Sequence, residues 1–222
     1  MNFKEKIIAL AIAVGIMHIA PLKAQTYGSG SVTSYAARFG IRGGMNFSAL
    51  DPDDAERSDL RKGYTVGLFA KLHVSPLFAL MPEVNYTTKG GAIHYNEAFV
   101  DGTAAFDVNY IEVPVLLVFQ PAPFINFHAG PYFAQLVGGT VSNVSEVSLF
   151  NFEDEVDPED YNKFDAGYAL GTALDAGPFS VGFRYTQGLH KIGRERTYDG
   201  NSYIFPNANN RVFTLYMSLA LF

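Results

Sequence analysis

The chain predicts an all-β fold: an eight-stranded antiparallel up-and-down transmembrane β-barrel preceded by a cleaved signal peptide. Three observations predict it: an alternating, aromatic-ended C-terminal segment, a strict alternation of short and long connections between such segments, and an export-type N-terminus. In Arg211–Phe222, successive side chains of a strand point to opposite faces. Phe213, Leu215, Met217, Leu219 and Leu221 therefore share one face, and Thr214, Tyr216, Ser218 and Ala220 share the other. A final strand ending on an aromatic residue suits a bacterial outer-membrane barrel.

At the other end, Lys4 and Lys6 precede an apolar run, Ile7 to Ile19, and Pro21 leads to Leu22-Lys23-Ala24. The run is too short to span a bilayer as a helix, and the small Ala24 suits signal peptidase. The expected organisation is a signal peptide over 1–24, a flexible Gly/Ser/Thr-rich lead-in over 25–35 and a single barrel domain over 36–222. Removing Lys4, Lys6, Lys23 and Glu5 from 16 basic and 22 acidic residues leaves 13 and 21, a net charge of −8. That acidity argues against nucleic acid as a partner. The chain has no cysteine, which removes disulfides, thiolate metal sites, thiol nucleophiles and a lipoprotein anchor.

Eight alternating segments fall at about 37–48, 63–75, 77–88, 106–120, 123–138, 164–176, 178–190 and 211–222. Val74-Ser75-Pro76-Leu77, Gln120-Pro121-Ala122-Pro123 and Asp175-Ala176-Gly177-Pro178 are tight Pro/Gly turns. The stretches near 49–62, 89–105, 139–163 and 191–210 are long and polar, and are expected to be loops. This order of short and long matches an outer-membrane barrel, with short turns in the periplasm and long loops outside.

A soluble barrel could share the strand count, so the faces decide. One phase holds Phe39, Ile41, Met45 and Phe47, then Tyr64, Val66, Leu68, Ala70 and Leu72, then Ile111, Val113, Val115, Leu117 and Phe119. It continues through Ile125, Phe127, Phe133, Val181, Phe183 and Tyr185, and carries no charge. The water-facing side of a soluble barrel would carry roughly 25–35% charged residues. The opposite phase is small: Gly40, Gly44, Gly67, Gly130, Gly167, Gly171, Gly182, Ala169, Ala173 and Ser180, with Asn46, Asn85 and Asn126. Small residues suit a narrow eight-stranded interior, so the bulky face is expected to meet lipid.

Arg42, Lys71, Glu83, Glu112 and Arg184 share the inward phase with His73, His128 and Tyr132. Because a lone buried ion costs several kcal/mol, these five charges are expected to form a bonded interior network with trapped water that plugs the barrel. Pro82 and Pro114 lie inside strands of a barrel with no edge, and a bulge is expected at each. Phe222 falls one residue out of the outward phase set by Leu219 and Leu221. Phe78, Phe119, Phe124 and Phe179 beside the short turns, with Phe47, Tyr64, Tyr86, Phe164 and Tyr185 beside the long loops, suit two interfacial girdles.

The pieces Gly43-Gly44-Met45-Asn46-Phe47-Ser48, Leu80-Met81-Pro82-Glu83-Val84, Asn109-Tyr110-Ile111-Glu112-Val113-Pro114, Ala129-Gly130-Pro131-Tyr132 and Phe183-Arg184-Tyr185-Thr186-Gln187-Gly188-Leu189 span nearly the whole mature chain. In this order they resemble the PorT-like outer-membrane β-barrel family of Bacteroidetes, most specifically in Asn-Tyr-Ile-Glu-Val-Pro. The resemblance implies a single eight-stranded barrel in the outer membrane and Pro82 and Pro114 as family features. It also implies, more weakly, a part in protein secretion across that membrane.

Lipid-acyl chemistry on a barrel would need a Ser or His with a carboxylate. His73, His94, His128 and His190 are the candidate histidines, and Ser202, Asp101 and Asp199 could approach the two in the loop regions. No spacing fixes a triad and no Gly-x-Ser-x-Gly elbow occurs, so no catalytic residue and no cofactor is assigned. Glu146, Glu153, Asp154, Glu155, Asp157, Glu159 and Asp160, with five acids between Asp51 and Asp59, could attract calcium or the divalent ions that bridge lipopolysaccharide phosphates. They follow no EF-hand spacing, so no metal site is assigned. The sequence thus predicts a monomeric, non-enzymatic barrel surrounded by lipid and lipopolysaccharide. Its long outer loops are expected to bind envelope or secretion proteins, the alternatives being a small-solute channel and a lipid-modifying enzyme.

Overall fold

The computed structural model describes residues 37–52, 58–97, 100–145, 152–155, 162–191, 195–198, 201–204 and 208–221. The expected signal peptide and lead-in, as well as Phe222, lie outside these residues. The described chain is all β, with strands β1 (Arg38–Pro52), β2 (Ser58–Asp59), β3 (Arg61–His73), β4 (Phe78–Glu97), β5 (Val100–Ala122) and β6 (Ile125–Ser145). β7 (Phe152–Glu155), β8 (Phe164–Ala176), β9 (Phe179–Lys191), β10 (Glu195–Tyr198), β11 (Asn201–Ile204) and β12 (Ala208–Ala220) complete it.

Eight of these close a ring in the order β4-β3-β1-β12-β9-β8-β6-β5, with β5 returning to β4. Every pairing in the ring is antiparallel. The first and last ring strands complete the closure, running from Gly40↔Ala220 to Pro52↔Ala208. Closure leaves no free strand edge, so the backbone of the ring is satisfied without water.

Side-chain alternation follows the pleat around the ring. Leu68, Phe133 and Met217 are 59%, 62% and 63% exposed on the outside, whereas Arg42 and Glu83 are 6% and 2% exposed inside. An uncharged, exposed apolar face beside a buried polar one fits a bilayer and not water. Phe78 and Phe119 pack at 5.3 Å near the short turns, and Tyr64 and Tyr86 at 6.1 Å near the opposite rim, at the two depths of the aromatic girdles.

The short turns gather at one end. In the first, the backbone N–H groups of Val74 and Ser75 both donate to Phe78 O. Ser75 Oγ accepts from Phe78 N. In the second, Ala122 pairs with Ile125 around Pro123-Phe124. In the third, Gly177 takes φ 64°, a left-handed conformation that side chains strain.

Two expectations are corrected here. Neither proline makes a bulge: Met81↔Leu116, Pro82↔Val115 and Asn85↔Glu112 keep one register, as do Glu112↔Ala134, Pro114↔Tyr132 and Leu117↔Ala129. A proline withholds a donor but occupies one residue of pleat, so it removes a rung without displacing its neighbours. The shifts occur elsewhere, between Asn109/Tyr110 and Phe119/Ala122 on β5–β6 and between Asn209/Arg211 on β12–β9.

Much of what is described of the long polar stretches is also strand and not loop. β4 and β5 stay paired through Glu97↔Val100, β6 continues to Ser145, and β7 joins β6 at Thr140↔Glu155 to Asn143↔Phe152. β2 pairs with β4 at Ile93 and Ala92, and β10 pairs with β11. Above the membrane both faces of a strand can meet water, so the bulky-small alternation that marks a spanning strand is no longer required.

Candidate functional site

The lumen is built from rungs that set a large inward side chain beside a glycine on the next strand. Tyr216 on β12 pairs with Gly44 on one side and Gly182 on the other. A Cβ on Gly182 would stand 2.4 Å from Tyr216 Cζ. Phe69 lies against Gly40 in the same way, His128 against Gly171, Tyr132 against Gly167 and Asn85 against Gly67. The glycines of the inward phase are the floor on which the lumen's rings lie. The interior is also more apolar than the sequence reading held: Val108, Tyr110, Leu116, Val118, Tyr132 and Leu136 are buried along the β5–β6 wall.

Three polar tiers stack along the axis. Nearest the short turns, Lys71 Nζ donates to Gln120 Oε1 at 2.9 Å and lies 3.5 Å from Asp175 Oδ2. Asn126 Nδ2 donates to both Asp175 oxygens at 3.1 and 3.0 Å. At mid-barrel, Glu83 accepts from Arg42 Nη1, from Arg184 Nη1 at 2.7 Å and from Arg184 Nη2 at 2.9 Å, while Asn85 Nδ2 supplies a further bond at 3.0 Å. The Tyr216 ring lies 4.1 Å from Arg42 Cζ and 5.3 Å from Arg184 Cζ. It thereby shields two like charges that share one carboxylate, and a desolvated cation–π contact is worth about 2 kcal/mol.

In the outer tier Lys89 pairs with Glu112 and lies over the rings of Tyr132 and Tyr110 at 4.6 and 5.4 Å. Tyr132 Oη and Asn210 Nδ2 donate to Asp165 Oδ2 at 2.9 and 3.1 Å. Above it, Arg61 pairs with Asp107 at the rim.

Two of these contacts cross the full width of the ring. β4 and β9 stand four places apart among eight strands, as do β3 and β8. Glu83–Arg184 and Lys71–Asp175 are therefore struts across the diameter. A cavity of about 20 Å³ beside Arg42, Lys89, Glu112 and Arg184, and one of about 30 Å³ beside Lys71, Asn126 and Asp175, remain between the tiers. Each has room for about one water.

The five charges singled out from the sequence, Arg42, Lys71, Glu83, Glu112 and Arg184, are all buried in the lumen. The structure joins only Arg42, Glu83 and Arg184 directly. Lys71 and Glu112 take partners the sequence reading did not include, Asp175 and Lys89. Lys89 opens the long polar stretch 89–105 expected to be loop, yet it continues the inward phase of Glu83, Asn85 and Thr87. Asp175 had been absorbed into the Gly-Pro turn, and Asp165 lies one residue inside its strand. Extending the 77–88 alternation by one residue reaches Lys89, and Asp165 and Asp175 share the inward phase of Gly167, Ala169, Gly171 and Ala173 within 164–176.

The histidines do not converge. His128 is buried, with Nδ1 3.2 Å from Asn126 Oδ1 and Nε2 accepting from Arg184 Nε at 3.4 Å. His190 is exposed on β9, with Nδ1 3.4 Å from Ala166 O, while His94 is on β4 across the ring, opposite Thr103. Asp101 is opposite Asn96, Ser202 is opposite Thr197, and Asp199 lies outside the described residues. Among the described residues no group of three or more His, Asp and Glu is arranged to hold a metal.

Solved structures of similar fold include Ail, the attachment invasion locus protein of Yersinia pestis, with 11% identity, 84% of this chain and 100% of that chain covered, and a TM-score of 0.48. Neisserial surface protein A shares 14% identity over 83% of this chain and 99% of its own, also with a TM-score of 0.48. The Escherichia coli outer membrane protease OmpT shares 7% identity over 83% and 96%, with a TM-score of 0.38. No curated protein matches the chain. A family model, the outer membrane protein beta-barrel domain, matches residues 24–194. With the closed eight-stranded ring, its lipid-type exterior and this match over most of the sequence, the chain belongs to the outer membrane protein beta-barrel domain family and resides in the bacterial outer membrane.

Proposed function

We propose that this barrel is a non-enzymatic, non-conducting monomer that presents its outer strands to protein partners. The observation that carries the reading is the pairing of a strutted lumen with a sheet that outgrows the membrane. Lys89 marks the rim, where Gly90 N donates to Ser48 Oγ. From there β4 runs eight more residues to Glu97, about 26 Å at 3.3 Å per residue. β5 and β6 accompany it, flanked by β2 and β7. A paired sheet beyond the headgroups offers a surface for adhesion or docking and is not needed for solute passage.

Export by a cleaved signal over 1–24 belongs to the same proposal. So does a role linked to protein secretion, which the resemblance to the PorT-like family supports. The test is photocrosslinking in intact cells from probes at Asn96 and Ser142, with identification of the adducts. Envelope or secretion proteins are expected; adducts confined to lipopolysaccharide would overturn the partner-binding reading.

A further inference from the structure

The lipid-facing belt has a notch at Gly43. Gly43 points outward from β1 at mid-span, and a Cβ placed there would meet nothing closer than Thr65 O at 3.9 Å. Its rung partners on the two adjacent strands are Val66 and Met217, both exposed. Toward the short turns the next outward rungs bring Ile41, Leu68, Leu219 and Phe179. Together they wall a groove of about 650 Å³ whose lining is almost wholly apolar.

We propose that this groove seats one acyl chain of a phospholipid drawn from the leaflet on the short-turn side. The groove is continuous with the face that already meets lipid, so the bilayer itself supplies the occupant. Its lining runs from Gly43 toward Phe179, beside the third turn, so a chain lying along it enters from the periplasmic leaflet. Lipid tails are as apolar as the groove wall, so the hydrophobic effect gives no preference. What singles out this chain is contact on three sides at once, since dispersion grows with the number of touching atoms. A two-fold dimer centred here would set groove against groove, because an isologous contact presents the same patch from both copies. That arrangement leaves the notch unfilled.

Native mass spectrometry of the full barrel, released from membranes in mild detergent, tests the assignment. Wild type is expected to retain a phospholipid. Gly43→Leu, which fills the notch where no atom obstructs it, should lose that phospholipid. Val66→Phe, filling the groove from β3, should lose it too, and Ala129→Leu, outward on the opposite wall, should keep it. Heat-modifiable migration of each variant reports folding separately. Equal phospholipid retention by wild type and both groove variants would overturn the proposal. So would a retained mass matching lipopolysaccharide, or a wild-type dimer that Gly43→Leu dissociates.

Discussion

Glu83 is the side chain on which the lumen's charge balance turns, because two guanidiniums, Arg42 and Arg184, bond the one carboxylate. Glu83→Gln leaves both cations buried without a counter-ion, and breaking a buried pair costs about 3–5 kcal/mol. Heating in detergent should therefore unfold Glu83→Gln well below wild type. Glu112→Gln should fall between them, since Glu112 serves Lys89 alone and the rings of Tyr110 and Tyr132 still face the ammonium. Equal unfolding temperatures for all three proteins would show that these carboxylates carry no structural charge. Gly182→Val tests the glycine floor, because the added carbons would displace the Tyr216 ring from between Arg42 and Arg184. Its thermal loss should exceed that of Gly43→Val, where the outward side is open.

At the scale of the strand, how far an element could be read from the sequence depended on its surroundings. Within the bilayer each strand must alternate, and Leu215-Tyr216-Met217-Ser218 or Leu68-Phe69-Ala70-Lys71 display that phase plainly. Beyond the rim the constraint lapses, so Ala92–Glu97 and Gly102–Ala105 read as polar loop although their backbones form a ladder. The inward phase of Arg42 and Arg184 was visible for the same reason, whereas their shared use of Glu83 was not. Partnership across a ring depends on strand register, which alternation along one strand does not encode. The outer ladder is an independent element by this argument. Replacing 92–105 with a two-residue Asn-Gly turn should leave heat-modifiable migration unchanged and abolish the crosslinks formed at Ser142, whose partner Ala105 is removed. Loss of barrel folding in that variant would show the extension to be structural.

For the whole molecule, the decisive property is that the ring is braced from within. Struts at mid-barrel and near the short-turn mouth, together with Tyr216 and the β5–β6 wall, leave cavities of about the size of single waters. Planar bilayers containing the purified protein should therefore show no steady conductance step. A reproducible step that salt shifts in proportion to ion concentration would overturn the closed-lumen reading.

The struts also say something about how such a cylinder comes into being. Glu83 and Arg184 lie 101 residues apart on facing walls, and neither touches the other until every intervening strand is in place. A half-curled sheet of β4, β3 and β1 would already hold Glu83 against Arg42, but the Arg184 guanidinium on the other flank would lie uncompensated, which is costly in hydrocarbon. Insertion and neutralisation must then coincide: the chain crosses the bilayer as a nearly finished tube, and its last act of assembly is to bury its own counter-ions.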